Sequence, residues 1–164
     1  MTTIDISKDL EQRTLQVDSE FDAPVDAVWQ LWADPRRLER WWGPPTYPAT
    51  FVEHDLRPGG SASYYMTGPE GDTPRGWWKF VEVDAPNRIV LEDGFADEHG
   101  VPNDDLPVTV MSVDVMPRVG GGTSMRIRST FPSTEAMEQM IAMGMEEGLA
   151  EALGQIEGIL AEAA

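Results

Sequence analysis

Two histidines, His54 and His99, are the natural candidates for proton transfer near neutral pH. They are too few for a three-histidine zinc site, and the absence of cysteine removes thiolate nucleophiles and thiolate metal ligands. His54 lies in a predicted strand between Glu53 and Asp55, so its side chain points to the opposite face from both carboxylates. His99 lies in a polar turn at residues 97–100, where a solvent-exposed position is expected. We therefore predict no catalytic residues.

Metal-binding and nucleotide-binding motifs are also absent from the sequence. There is no nucleophile elbow, P-loop or H-E-x-x-H motif, and a hairpin turn explains the glycine run at 120–122. Four carboxylates gather in the segment 97–105, but their spacing does not match a calcium-binding loop. We predict neither a metal nor a cofactor. A binding protein is favoured over an enzyme, and the question of catalysis stays open.

Aromatic and methionine side chains are the most informative set, because they make rigid or adaptable walls for apolar ligands. The alternative is that they fill the core, which is the commonest fate of these residue types. Strand alternation places some of them on a shared face, such as Tyr64 with Met66 and Trp78 with Phe80. The predicted ligand-binding residues are Trp42, Tyr64, Met66, Trp78, Phe80, Phe95, Met111, Phe131, Met140 and Met143. The polar candidates for orienting a ligand are Tyr64, Thr109, Arg126 and His54.

Hydrophobic periodicity predicts the elements that must position these side chains. Alternating apolar residues predict a first strand at 12–21, and helical spacing predicts two short helices that begin near Pro24 and Pro35. Six further strands are predicted at 46–55, 61–66, 77–84, 88–95, 108–117 and 123–131. Their connections are mostly too short for crossover helices, so we expect an antiparallel sheet with the first strand at one edge. Residues 1–11 are expected to be flexible or an edge segment.

One long carboxy-terminal helix is predicted to begin after Ser133, which is a suitable N-cap residue. Its apolar residues follow a 3.6-residue period, and Gly144 and Gly148 lie beside that apolar stripe. Each glycine lowers helix stability by roughly 1 kcal/mol relative to alanine. The pair therefore indicates either close approach to another element or space left open beside the helix.

The composition is that of one folded domain over residues 1–164, with 41% hydrophobic residues. A formal charge of −17 disfavours nucleic acid and anionic membrane surfaces, which are bound mainly through Lys and Arg. The amino terminus lacks the apolar run of a signal peptide, and no segment reaches the ~18 consecutive apolar residues of a membrane span. We expect a cytoplasmic protein that is a monomer or a homodimer and binds neither nucleic acid nor membrane.

Several short motifs occur in a characteristic order over residues 12–162. They are APVDAVW at 23–29, DP at 34–35, WWGP at 41–44, LRPGG at 56–60, VEVDAPNRIV at 81–90, GGT at 121–123 and GMEEG at 144–148. Together with the predicted elements, these motifs resemble the SRPBCC superfamily of START and Bet v 1-like proteins. The branch they resemble is the carboxy-terminal domain of the activator of heat-shock protein 90 ATPase. The resemblance implies an α+β helix-grip fold, in which a curved seven-stranded antiparallel sheet and two short helices wrap around a long carboxy-terminal helix.

The resemblance also implies a ligand cavity between the sheet and the long helix. The leading hypothesis is therefore a protein that binds a small apolar molecule in this cavity. The second hypothesis is a module that interacts with a chaperone, as the name of the branch implies. The third is an enzyme similar to the polyketide cyclases and hydrolases of the superfamily, which would need a Tyr, His or Asp lining the cavity.

Overall fold

An eight-stranded antiparallel sheet is the framework of the protein in a computed structural model that describes residues 3–163. The strands are β1 (Thr3–Asp9), β2 (Thr14–Phe21), β3 (Ala49–His54), β4 (Ser61–Met66), β5 (Arg75–Asp84), β6 (Arg88–Ala96), β7 (Thr109–Pro117) and β8 (Thr123–Thr130). They lie in the order β1-β2-β8-β7-β6-β5-β4-β3. Neighbouring strands in the described sheet are therefore consecutive in sequence, except for the pair β2 and β8. Residues 1, 2 and 164 of the predicted single domain lie outside the described part.

Strand β1 corrects the predicted number of strands from seven to eight. It pairs with β2 along its whole length, so β2 lies between β1 and β8 and not at the edge. Ile4 and Ile6 pack against the core from β1. Two apolar residues among charged and polar ones are too short a pattern to predict a strand, which is why the sequence analysis missed it. Residues 3–9 thus form an edge strand.

The six-stranded meander from β3 to β8 is confirmed, with strand ends that differ from the predicted ones by at most three residues. Alternating burial defines an inner face, which the helices cover, and an outer face. In β6, for example, Ile89 and Leu91 are buried on the inner face while Arg88 and Val90 are only partly buried on the outer one. The alternation that predicted these strands therefore reflects burial of one face.

Helices α1 (Val25–Ala33) and α2 (Pro35–Leu38) cover one end of the inner face, as two short helices were predicted to follow the strand at 12–21. Asp34 separates them, because its carboxylate accepts a hydrogen bond of 2.9 Å from the backbone N–H of Arg36. This N-cap, followed by Pro35 at the first helical position, begins a new helix and ends the preceding one.

The predicted carboxy-terminal helical region is present, but it is divided into three consecutive helices, α3 (Thr134–Ala142), α4 (Met145–Leu153) and α5 (Ile156–Ala163), and is not one continuous helix. The predicted N-cap is confirmed, since the Ser133 hydroxyl accepts from the backbone N–H of Ala136 at 3.0 Å. The first break occurs at Gly144, whose φ of 90° is in the left-handed region that favours glycine. None of the helices within residues 3–163 is long and apolar enough to cross a membrane.

An aromatic cluster fills the core under α1 and α2. The rings of Trp32 and Trp41 meet edge to face, with centroids 4.8 Å apart, and Phe51 and Trp78 join them from the sheet. The indole N–H of Trp41 donates to the carbonyl oxygen of Leu31 at 2.9 Å. Large, closely packed rings thus close this end of the inner face.

Candidate functional site

A pocket with a volume of about 280 Å³ lies between the other end of the inner face and helices α3 and α4. This volume is close to the lower end of the range, roughly 300–1,000 Å³, that is typical of pockets for small molecules. Aromatic, thioether and aliphatic side chains make most of its surface, and few polar groups lie among them. Such a lining favours the binding of an apolar ligand, because binding transfers apolar ligand surface from water to an apolar environment.

The helix side of the pocket is lined by Met140, Met143, Gly144, Met145, Gly148 and Leu149. Met143 lies at the break between α3 and α4, is 58% exposed and borders the opening of the pocket. A Cβ atom added to Gly144 or Gly148 would meet nothing within 4 Å. The two glycines therefore leave space open beside the helices, and close packing against another element does not explain them.

The sheet side of the pocket carries both apolar and polar side chains. Met66 in β4, Phe95 in β6 and Met111 in β7 supply apolar surface, while Thr109 and Ser129 supply buried hydroxyl groups. Trp42 and Pro44, which follow α2 in the sequence, complete the lining. The polar atoms are thus concentrated on the sheet side, opposite the apolar helices.

Tyr64 and Asp93 form a hydrogen-bonded pair in the sheet side of the pocket. The Tyr64 hydroxyl donates to Asp93 Oδ1 at 3.5 Å, although β5 lies between their strands β4 and β6. Gly76 of β5 is paired with Tyr64, and a Cβ atom there would lie 2.4 Å from the phenolic oxygen. Gly76 therefore allows the phenol ring to cross β5 and reach Asp93.

Burial raises the pKa of Asp93 from 3.8 to about 7, and the nearby Trp78 indole N–H and Tyr64 hydroxyl oppose this rise. Burial and the negative charge of Asp93 also raise the pKa of Tyr64 well above its ordinary value. The side chain of Asp93 is half-buried and lines the pocket. Near neutral pH, Asp93 is therefore present in both protonated and ionised forms, while Tyr64 keeps its proton.

Two indole N–H groups stand beside this pair. Trp42 Nε1 and Trp78 Nε1 are buried and have no hydrogen-bond partner of regular geometry among residues 3–163. Both lie close enough to the Tyr64 oxygen to lower the pKa of its hydroxyl, against the larger effect of burial. The Trp78 indole also lowers the pKa of Asp93, so it offsets part of the cost of burying the Asp93 charge.

The structure places seven of the ten predicted ligand-binding residues in the pocket lining: Trp42, Tyr64, Met66, Phe95, Met111, Met140 and Met143. The other three are core residues outside it. Trp78 packs against Trp42 with ring centroids 4.8 Å apart, and Phe80 is buried beside His54, with ring centroids 5.9 Å apart. Phe131 packs against Met137 in a separate small cluster. Periodicity alone could not separate these two groups, because core and pocket use the same residue types.

The four polar candidates are divided in the same way. Tyr64 and Thr109 line the pocket, whereas Arg126 donates to Asp18 at 2.8 Å on the outer face. His54 Nε2 lies 2.9 Å from the carbonyl oxygen of Trp32, and burial lowers the pKa of its imidazole. Since a carbonyl only accepts, Nε2 is the donor in this contact, and His54 has a structural role away from the pocket. Within residues 3–163, no group of three or more His, Asp or Glu side chains is arranged to hold a metal ion.

Asp93 is the candidate site residue that the sequence analysis missed. Its strand carries Ile89, Leu91, Asp93 and Phe95 at every second position, so Asp93 occupies an inward position among apolar residues. A carboxylate at such a position could have identified Asp93 as a site residue, because acidic side chains seldom lie on a core face without a partner or a function.

The family comparison agrees with this architecture. The family model described as "Activator of Hsp90 ATPase homolog 1-like protein" matches residues 22–161. The chain belongs to this family. The predicted SRPBCC (Bet v 1-like) resemblance is thereby confirmed, and the observed antiparallel sheet with carboxy-terminal helices is consistent with its helix-grip fold. Family and fold together are those of a ligand-binding or activator-like module.

Solved structures of similar proteins come from several bacteria. A solution NMR structure of a protein from Arthrobacter aurescens is 52% identical, covers 96% of this chain and 91% of its own, and has a TM-score of 0.92. The crystal structure of protein Ms6760 from Mycobacterium smegmatis is 45% identical, with coverages of 96% and 97% and a TM-score of 0.89. An NMR structure from Staphylococcus epidermidis is 28% identical, with coverages of 97% and 94% and a TM-score of 0.83. A search of curated proteins found no match.

Proposed function

We propose that this protein binds a small, largely apolar molecule in the pocket between the sheet and helices α3 and α4. The observation that carries the proposal is the cavity beside Gly144 and Gly148, where the helices leave space instead of closing onto the sheet. Binding there uses neither a metal nor a covalent step. The free energy comes from removing apolar ligand surface from water.

The methionines on the helix side support the same proposal. Met140, Met143 and Met145 border the cavity, and their unbranched, polarisable side chains can adapt to ligands of different shape. Trp42 and Phe95 provide rigid surfaces on the opposite side. An adaptable wall facing a rigid one suits a site that accepts a class of related apolar molecules.

Filling the cavity is the direct test of this function. We expect Gly148→Leu to weaken binding of the neutral fluorescent probe N-phenyl-1-naphthylamine by about tenfold or more, because the new side chain occupies the cavity. The matched control is Gly158→Leu, since Gly158 is also helical and open on its side-chain side but does not line the pocket. Probe fluorescence is measured in a titration of each protein. Equal affinities in the two variants would contradict the proposal.

Both substitutions remove a helical glycine and should therefore keep or raise helix stability, by roughly 1 kcal/mol. Loss of probe binding in Gly148→Leu alone thus reports occupation of the cavity and not unfolding. Thermal denaturation of both variants checks this point.

A second candidate function is interaction with an Hsp90-type chaperone, which the family match over residues 22–161 favours. If this protein acts on such a chaperone, saturating amounts should stimulate the ATPase of the chaperone from the same organism. An unrelated protein of similar acidity, at the same concentration, controls for charge. Absence of stimulation beyond that control would reject this candidate and leave the ligand-binding proposal unaffected.

A further inference from the structure

The carboxylate of Asp93 is an unusual group to find in an apolar pocket. Among the described residues that line the pocket, none has a basic side chain, so no ion pair within the lining balances the charge of Asp93. Its hydrogen bond from the Tyr64 hydroxyl is long, at 3.5 Å. An ionised carboxylate that is removed from water without a cationic partner is unfavourable. A ligand could supply the missing positive charge.

We propose that the pocket binds lipophilic amines, whose ammonium group pairs with the carboxylate of Asp93 while the apolar chain lies among the methionines of α3 and α4. This inference rests on the proposed function, because it names the class of ligand for the same cavity. It adds a polar end to a site that was described above as largely apolar.

The aromatic residues near Asp93 favour a cation on this side of the pocket. Trp42, Tyr64 and Phe95 all line it, and the faces of such rings attract ammonium groups. The Trp78 indole and the Tyr64 hydroxyl both favour the ionised form of the Asp93 carboxylate, which is the form that a cation needs. The surrounding protein, with a formal charge of −17, also attracts cations.

Anionic amphiphiles are disfavoured by the same geometry. A ligand carboxylate at this position would meet Asp93 without a basic side chain in the described lining to neutralise either group. One of the two carboxyl groups would have to take up a proton. A neutral alcohol could form a hydrogen bond to Asp93 but would gain no charge pairing. The three headgroups therefore give a clear order of expected affinity.

Three ten-carbon probes that differ in their headgroups test this order: decylamine, 1-decanol and decanoic acid. Isothermal titration calorimetry, at concentrations below micelle formation, measures the affinity of each for the full-length protein. We expect decylamine to bind about tenfold or more tightly than 1-decanol, and decanoic acid to bind most weakly. If 1-decanol or decanoic acid binds as tightly as decylamine, the amine proposal is overturned while the apolar pocket stands. If none of the three binds, the proposed function fails as well.

The substitution Asp93→Asn assigns the effect to one residue. It should weaken decylamine binding by about 30-fold, because it removes one member of a buried charge pair. The effect on 1-decanol binding should be much smaller, because the amide of Asn can still form a hydrogen bond to the alcohol. The matched control is Glu92→Gln, which removes a carboxylate from the outer face of the same strand, next to Asp93 in sequence. Equal losses of decylamine affinity in the two variants would show a general effect of net charge and overturn the proposal.

A pH titration of the unmutated protein keeps the test independent of how the variants fold. Asp93 and Tyr64 are the titratable groups in the described lining, and Asp93 faces Trp78 of β5 and Thr109 of β7 across its strand pairs. Decylamine stays protonated throughout the neutral range, as a lysine side chain does. Its affinity should rise as Asp93 ionises between about pH 6 and 8, while that of 1-decanol should not. A flat profile for decylamine would contradict pairing with Asp93.

Discussion

The two ends of the inner face differ in how completely they are filled. At the closed end, under α1 and α2, Trp32, Trp41 and Phe51 are almost fully buried and in ring contact within one cluster. At the open end, under α3 and α4, methionine side chains and two glycines border a cavity of about 280 Å³. The same sheet forms the base of both ends, so the covering helices and their side chains account for the difference.

This contrast separates the region that stabilises the fold from the region that we propose binds a ligand. Large rigid rings at the closed end gain contacts and bury apolar surface, which stabilises the fold. At the open end, the break at Gly144 and the missing side chain of Gly148 give up such contacts. The closed end can therefore hold the sheet in place while the open end stays available to a ligand.

Truncating a large side chain at each end is the strongest way to test this division. We expect Trp41→Ala to lower the free energy of unfolding by about 3–5 kcal/mol, since Trp41 is fully buried at 0% exposure. Met140→Ala, at the open end, should cost only about 1 kcal/mol, because its side chain is partly buried and borders a cavity. Urea denaturation measures both values. Comparable losses would contradict the contrast between the two ends.

Asp93→Asn tests the polar part of the open end through the pH dependence of stability. The pKa of Asp93 is higher in the folded protein, at about 7, than the ordinary value of 3.8, so the folded state holds this proton more tightly. The resulting stabilisation is present at low pH and is lost as the pH rises from about 4 to 7. Since the amide does not ionise, the ligand-free variant should be more stable than the unmutated protein at about pH 8, by up to about 4 kcal/mol.

This advantage should shrink as the pH falls toward the ordinary range of an aspartate. Urea denaturation at several pH values, without added ligand, measures the difference in unfolding free energy. Glu92→Gln again provides the control for loss of one carboxylate from β6. The same pH dependence in both variants would show that burial of Asp93 in the pocket is not its cause.

The sheet was predictable because its strands obey a simple rule of alternation. The strand at 61–66 was predicted with the bounds that the structure has for β4, and each turn in the meander from β3 to β8 contains Gly or Pro. Strand β1 escaped prediction because Ile4 and Ile6 become part of the core only through pairing with β2. The carboxy-terminal helix was predicted without its breaks, because its apolar period continues across Gly144.

The composition of the pocket was more predictable than its boundaries. Met66 and Met111 line it and Phe80 does not, although all three are apolar residues on the inner face of the sheet. An inward residue of the sheet lies in the core where a helix packs directly on it, and it lines the cavity where the helix leaves a gap. A single sequence does not show how far each helix lies from the sheet. Asp93 was overlooked because its importance depends on Tyr64, which reaches it across Gly76 from two strands away.

The sequence by itself determined the α+β class, the positions of most strands and helices and the family, because these follow from local periodicity, turn residues and ordered motifs. Tertiary structure alone decided that the additional strand β1 pairs with β2 at the edge of the sheet and that two glycines leave a cavity open. It also decided that Tyr64 and Asp93 meet in this cavity. The physical reason is that burial, cavity volume and the shift in pKa of Asp93 depend on which atoms from distant segments surround a side chain, and sequence spacing does not record those neighbours.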